Sequence, residues 1–396
     1  MKAAFFITYY HKNSGLFGVG VLKNDKQVNV GEFKKGLKIE EKDALLKIMM
    51  QHSRQEDHEF LFISPGICVE LQFSSFQDEK IKNPIFMQFL FNSRWEECTF
   101  EKLLNIPIDL THPDKLLFPN SDFTKMDYIG YLQKVSPYVL PFLKNRLLTT
   151  IRFPHGLFGE SFYQKQCPDY APSFIETSKK EDINYIVCNN LETLLWLGNQ
   201  LAFEFHIPFE TIYSNGMPSE IVFDLDPPSV EMFHLAIKAA RLLKDILDRL
   251  NLISFIKISG NKGIQVYLPL PEKTYSYEDV RVFTEFVATF MINAEPNLFT
   301  IERLKKNRHN RLYIDYIQHS EGKTIIAPFS IRGNKGGYVA CPINWNELTD
   351  SLSPSHFSME NVILRIEKTK NPFENFFLAK KEQPFNQVLN GIKANR

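Results

Sequence analysis

Ile221-Val222-Phe223-Asp224-Leu225-Asp226-Pro227-Pro228 is the stretch on which the reading of this chain turns. Its apolar residues suit a strand, and the two prolines end it. Residues two apart on a strand point to the same face, so Asp224 and Asp226 stand side by side. A third carboxylate, Asp315, sits in a second strand-like run, Arg311-Leu312-Tyr313-Ile314-Asp315. Three like charges brought together repel unless a cation lies between them, and an all-oxygen set suits Mg²⁺ or Mn²⁺. Two-metal phosphoryl or nucleotidyl transfer uses such a trio. Read alone, the Asp-x-Asp pair serves equally well as a cap for a following helix.

The segment between the carboxylates tips the balance. Ser259-Gly260-Asn261-Lys262-Gly263 follows the apolar run 252–258 and precedes the strand-like 264–268. Two glycines allow close backbone approach to a ligand, the hydroxyl and amides can bond phosphate oxygens, and Lys262 adds charge. It is not a Walker A loop, since the GxxxxGK[ST] order is absent. Alone, SGNKG reads as an ordinary hairpin turn. Beside three metal-type carboxylates it is expected to cradle a triphosphate.

From Leu110 onward the chain resembles the polymerase domain of bacterial DNA ligase D, in the archaeo-eukaryotic primase superfamily. The collinear segments are LTHPDKLLFP, FTKMDYIGYLQKVSPYVLPFLKNRLLTTIRFPHG, GESFYQKQCPDYAP, VCNNLETLLWLGN, FEFHIP, IVFDLDPP, SGNKGIQVYLPL, LYIDYIQHSEGKTIIAPFSIRG and INWNEL. The resemblance implies an α/β (α+β) primase-polymerase fold with a mixed catalytic sheet over 105–396. Helical apolar spacing over 126–143, 186–201, 230–250 and 279–294 alternates with the motif-bearing strands, as a sheet with helical cover requires.

Residues 1–104 resemble the C-terminal OB-fold of an ATP-dependent DNA ligase, on LFGVGVLKNDKQVNVGEFKKGL, ISPGICVELQFSSF, KNPIFMQF and WEECTF. Apolar runs at 15–22, 28–33, 60–63 and 67–73 fit a small β-barrel. No KxDG adenylation motif occurs in the chain, and the closing basic motif, here Lys82-Asn83-Pro84-Ile85-Phe86, loses its second arginine. The expectation is therefore a barrel without ligase catalysis, which binds nucleic acid or serves only for docking. Residues 105–113, with Pro107 and Pro113, are the expected linker.

Composition bounds the partners. The 396 residues balance 46 Lys and Arg against 46 Asp and Glu, so attraction to DNA must come from local patches. Five cysteines without a CxxC pair read as thiols in a reducing compartment. The opening MKAAFFITYY is too short for a signal peptide, and no apolar stretch reaches a membrane span. The expected location is the bacterial cytoplasm, in association with the nucleoid.

Further site residues follow from the resemblance. It implies a pocket for the 5′-phosphate of a gap at Lys115 and Lys125, which otherwise read as solvated lysines. His206 in FEFHIP resembles a residue that contacts the nucleotide's sugar; without that likeness it reads as structural. Ser330 and Arg332 resemble a strand-borne phosphate clamp, a task that suits the arginine fork. Arg152 faces the triphosphate or the template, or packs at the core edge. Phe162 and Tyr163, adjacent on a strand, would face opposite ways, one into the core and one stacking on a template base; Lys165 beside them would meet DNA. Gln318 supports Asp315 or the ribose. Lys305, Lys306, Arg308, His309 and Arg311 form a basic loop within reach of a DNA end. One departure stands out: where the family pattern has histidine, as in KGxHVY, this chain has Gln265, which lies on the same strand face as Gly263 and is expected to reach the triphosphate.

The expected function is template-directed nucleotidyl transfer at DNA ends or short gaps, with two Mn²⁺ or Mg²⁺ ions and a nucleoside triphosphate. The resemblance further implies Mn²⁺ stimulation, use of ribonucleotides, and work in non-homologous end joining with Ku and a separate ligase. The alternatives are a catalytically weak end-bridging or Ku-recruiting scaffold, and a de novo primase.

Overall fold

The computed structural model describes residues 2–23, 25–77, 79–104, 106–118, 122–334 and 336–395. The chain divides into two compact units, Met1–Asp114 and Lys115–Arg396. The division falls after Asp114 rather than after residue 104, and Asn105 of the expected linker lies outside the described residues.

In the first unit, strands β1 (Lys2–His11), β2 (Leu16–Lys23) and β3 (Lys26–Phe33) form a meander. Helix α1 (Ile39–Gln51) follows, then β4 (Ser53–Glu56), β5 (Phe60–Ile63), β6 (Cys68–Gln72), β7 (Ser75–Gln77), β8 (Lys80–Lys82), β9 (Ile85–Phe89) and the short α2 (Phe100–Leu103). The long β1 is the spine, pairing β2 on one edge and β5 and β6 on the other. The opening apolar residues Phe5, Phe6 and Ile7 are buried within it. β9 pairs β6, but it meets the β3 side only through one isolated bridge, Lys35 to Ile85. Closing a barrel needs a continuous ladder there. The sheet is therefore an open half-barrel, not the closed barrel that the alternating runs suggest.

The second unit is layered. Helix α3 (Lys125–Leu143) begins with a capping box between Thr124 and Asp127. It is followed by β10 (Thr149–Arg152), β11 (Phe162–Gln164), the hairpin β12 (Thr177–Lys180) and β13 (Ile183–Ile186), α4 (Leu191–Asn199) and β14 (Ala202–Pro208). Next come β15 (Glu220–Asp226), α5 (Phe233–Arg249), β16 (Phe255–Ile258), β17 (Ile264–Pro269), α6 (Tyr277–Ala294), β18 (Phe299–Thr300), β19 (Leu312–Ile314), β20 (Thr324–Ile326), β21 (Pro342–Ile343) and helices α7 (Met359–Lys368), α8 (Phe376–Glu382) and α9 (Phe385–Ala394).

Two sheets result. One has the order β11-β10-β14-β20, the other β18-β19-β15-β17-β16-β21. Only β18 and β19 pair in parallel in the larger sheet, so it is mixed. Alternation assigns its faces. Ile221, Phe223 and Leu225 of β15 are buried on the side where Phe223 meets Phe283 of α6. The opposite side carries Asp224, Gln265 and Lys257 and looks toward the smaller sheet. Lys257 Nζ and Tyr267 Oη both reach the carbonyl of Ile326 on β20, at 3.2 and 3.4 Å. The far face of the smaller sheet is covered by α3, where Tyr128 stacks on Phe203 with centroids 4.5 Å apart.

Candidate active site

A polar cavity of about 170 Å³ opens between the two sheets. It is lined by His206, Asp224, Asp226, Ser259, Asn261, Lys262, Gly263, Gln265, Gln318, Thr324, Ile325, Ile326 and Arg332. One wall is the carboxylate face of the larger sheet. The register pairs Asp224 with Gln265 and Gln265 with Lys257, so one row of side chains runs across three strands. On the other edge, Asp226 pairs with Tyr313 and Leu225 with Ile314. Asp315 comes one residue past the end of β19, near enough for its charge to act on Asp224.

The trio is not a closed ligand set. Asp315 follows the end of β19 and accepts a 3.1 Å bond from Tyr313 Oη, and it does not line the cavity. Among the described residues, no three His, Cys, Asp or Glu side chains are grouped closely enough to hold an ion. The electrostatics are those of crowded acids. Burial, then Asp226, then Asp315 push the Asp224 carboxyl up to about 6, against the hydrogen bond from Gln265. Tyr313 is pushed up to about 12, by burial first and then by Asp315.

Lys262 projects from the β16–β17 turn to the carbonyls of Pro227 and Pro228, at 2.7 and 3.2 Å, and pairs with Asp226 at 3.3 Å. The rest of the turn is occupied with itself. Ser259 Oγ accepts the amides of Asn261 and Gly263, and the Ser259 amide bonds the Gly263 carbonyl. A Cβ on Gly263 would lie 2.6 Å from the Leu225 carbonyl, and Gly260 has a φ of +77°. The glycines are thus required by close approach to protein backbone, and of the expected cradle groups Lys262 is the one that projects as a charged donor.

The opposite wall comes from β14 and the segment after β20. His206 Nε2 lies 2.7 Å from Glu204 Oε2, and Arg332 Nη1 donates to the same oxygen at 3.0 Å. Gln318 donates to the Thr324 carbonyl at 2.9 Å, which ties it to β20 rather than to Asp315.

Several expected roles change. Gln265 is 3 % exposed and lines the cavity, and one N–H of its amide donates to Asp224 at 3.0 Å, so part of its donor capacity serves the carboxylate. Its Oε1 is buried without a partner. Ser330 is fully buried and bonds the backbone of Phe205, out of reach of a phosphate. Arg152 spends four of its five donors on Gln200, Gln164 and Tyr170 and lies over the Phe162 ring, at the core edge and outside the cavity lining. Phe162 and Tyr163 are both exposed, so neither is core, because β11 is an edge strand. Lys165 is exposed just beyond it. Arg308 donates to the carbonyls of Glu302 and Arg303 and stacks 4.0 Å from the Tyr313 ring, so its guanidinium braces the tyrosine that holds Asp315.

Lys115 and Lys125 do come together. The Lys125 amide bonds the Lys115 carbonyl at 2.8 Å, and Lys115 Nζ donates to the Pro154 carbonyl. Burial, then Lys115 and Arg152, push the Lys125 ammonium down to about 8.

Sequence reasoning missed two residues of this site. Lys257 is fully buried on the carboxylate face, and burial pushes it down to about 7 against the pull of Asp224. Its signal was a single lysine inside the apolar run before SGNKG. Glu204 was marked by the alternation of FEFHIP, in which charged or polar side chains occupy every second position.

A mixed sheet that presents carboxylates to a cavity rimmed by lysine and arginine defines a polymerase-type nucleotidyltransferase domain. The model of the LigD primase-polymerase domain matches residues 124–373, and the chain belongs to that family. It is 44 % identical over 393 residues to the bifunctional non-homologous end joining protein LigD of Bacillus subtilis, covering 98 % of this chain and 64 % of that one. It is 33 % identical over 269 residues to the multifunctional LigD of Mycolicibacterium smegmatis, covering 66 % of this chain and 35 % of that one. Among solved structures, the polymerase domain of Mycobacterium tuberculosis Ligase D in complex with DNA superposes with a TM-score of 0.64 at 30 % identity, over 70 % of this chain and all of that one. The chain thus spans less than two thirds of the length of these curated relatives. All five cysteines are buried and unpaired, and among the described residues no helix is long and apolar enough to cross a membrane.

Proposed function

We propose that this chain extends a DNA 3′-end by template-directed nucleotidyl transfer at breaks and short gaps, in non-homologous end joining. The observation that carries this reading is one cavity lined by Asp224, Asp226 and Lys262 on one wall and by His206 and Arg332 on the other, with the Asp315 charge acting on Asp224.

The donor set fits a divalent cation: all ligands are oxygens, and Asp224 is held up to about 6 by burial and by its acidic neighbours, a repulsion that a cation relieves. Asp224 and Asp226 would hold Mg²⁺ or Mn²⁺, with Asp315 as the third carboxylate. When bound, two such ions supply the charge that acidifies the primer hydroxyl and steadies the leaving pyrophosphate. The chain's own groups do the remainder. Lys262 and Arg332 neutralise triphosphate charge, and preorganised donors of this kind cost no rearrangement when charge develops. His206 meets the sugar side. Lys115 and Lys125 meet a 5′-phosphate, and the exposed Phe162 and Tyr163 offer rings to unpaired bases. Lys165 adds charge beside them. The first unit reads as an open relative of the OB-fold that docks or contacts DNA. Ku and a separate ligase complete the repair, in the cytoplasm at the nucleoid, and ribonucleotides are accepted.

A scaffold that bridges ends or recruits Ku has no use for acids crowded in this way. The deciding experiment is primer extension by the chain on a gapped, 5′-phosphorylated duplex with Mn²⁺, in the presence and absence of the primer. Extension only with a primer is expected. No extension under any condition returns the scaffold reading, and synthesis without a primer indicates a primase.

A further inference from the structure

Glu204 has no part in the chemistry just described, yet it is 6 % exposed and bonds two residues that line the cavity, His206 and Arg332. It shares the β14 face with His206, while Phe203 and Phe205 point into the opposite layer. Both of its oxygens are used. Oε2 meets His206 and Arg332, and Oε1 accepts the Gly333 amide at 2.8 Å. Burial works to raise this carboxyl, but the His206 bond, the Arg332 charge and the Gly333 amide hold it below the usual carboxylate range. An isolated buried carboxylate is costly, and one that meets three donors is fixed in place by them.

What Glu204 leaves free is informative. A His206 ring that donates Nε2–H to the carboxylate presents Nδ1 as an acceptor, which suits a hydroxyl. Arg332 retains N–H groups beyond Nη1, which suit an anionic oxygen. The two residues lie on separate segments, and one carboxylate oxygen joins them. We propose that Glu204 is a positioning residue that locks His206 and Arg332 together, so that the pair engages a hydroxyl and a phosphate of one nucleotide at a fixed span. This rests on the reading of the cavity as a nucleotide site.

The test is a double-mutant cycle on the full chain, read by calorimetric binding of a non-hydrolysable nucleoside triphosphate with Mn²⁺ and, separately, by KM and kcat in primer extension. Glu204→Gln keeps the shape and is expected to weaken triphosphate binding about tenfold, the scale of lost charge-assisted bonds, with kcat within about threefold. Coupling predicts that Glu204→Gln adds less than about twofold to the loss already caused by Arg332→Ala, because contacting residues are not additive. Additive losses, or a fall in kcat with KM unchanged, overturn the proposal. Should Glu204→Gln fail to fold, the His206→Gln and Arg332→Ala pair carries the same test: non-additive losses support the shared anchor, and additive losses overturn it. A wild-type chain that binds triphosphate but extends no primer ends the polymerase reading and leaves the cycle decisive. One that binds no triphosphate ends both.

Discussion

The two walls of the cavity are built on opposite principles. On the β14 wall every charge has a partner: Glu204 binds His206 and Arg332 within about 3 Å, and the group is set before any ligand arrives. On the β15 wall like charges are crowded. Asp224 is raised by burial and then by its acidic neighbours, and Asp315 accepts a bond from Tyr313. The first wall is internally paired, which suits the proposed contacts to a nucleotide. The second keeps acidic crowding that Lys262 and Gln265 relieve only in part. A site for a reaction driven by metal charge needs both, since a wall already neutralised has no affinity left for the ion.

The comparison breaks most visibly on the acidic wall. Asp224→Ala or Asp315→Ala is expected to lower primer extension by about 10³-fold or more, near 4 kcal/mol of barrier, because metal charge leaves the transition state. DNA affinity should stay within about threefold, as the basic contacts lie elsewhere. Extension at a near wild-type rate by either variant would remove these residues from the metal site.

A smaller effect tests the backbone under that wall. Buried His319 accepts the Val222 amide at Nε2, 2.7 Å away, and burial pushes it down to about 3 from 6.5. A group depressed on folding stabilises the fold above its unfolded pKa and loses that contribution as pH falls toward the folded value. Stability should therefore decline below about pH 6.5, by an amount on the order of a few kcal/mol. Denaturant melts at pH 7 and pH 4.5 check it: His319→Gln, which still accepts the amide, should show the shallower decline. Parallel declines would count against a neutral His319.

The lysine pair sharpens the contrast from outside the cavity. With Lys125 held down to about 8, the pair carries two charges at pH 7 and fewer at pH 9. Preference for a 5′-phosphorylated gap over its unphosphorylated twin should be about tenfold at pH 7 and shrink at pH 9, at fixed salt. Equal affinities at pH 7 would return both lysines to structural duty. The mildest effect belongs to Gln265. Its amide serves Asp224, so Gln265→Leu should raise the half-saturating Mn²⁺ concentration about threefold to tenfold, near 1 kcal/mol, and leave the nucleotide KM almost unmoved. A shift in nucleotide KM alone would return Gln265 to the triphosphate.

How much of this was legible differs by element. Strand alternation places Asp224 and Asp226 on one face, the prolines stop β15, and helical spacing marks α3, α5 and α6 close to their observed bounds. Those features are local, and a few consecutive side chains encode them. The open half-barrel was not legible, because alternating runs specify strands but not whether the last one completes a ladder.

Local chemistry together with the family resemblance singled out Asp224, Asp226, Lys262 and Arg332, and these four line one cavity. Only the tertiary structure decided what each group is bonded to. It tied Asp315 to the Tyr313 hydroxyl and turned the Ser259 hydroxyl and the Gly263 amide inward. It also spent Arg152 and Ser330 on packing and joined His206 to Arg332 through Glu204. The physical reason is that a side chain's face follows from its neighbours in sequence. Its hydrogen-bond partners follow from register and from contacts between segments far apart in the chain, which local periodicity does not encode.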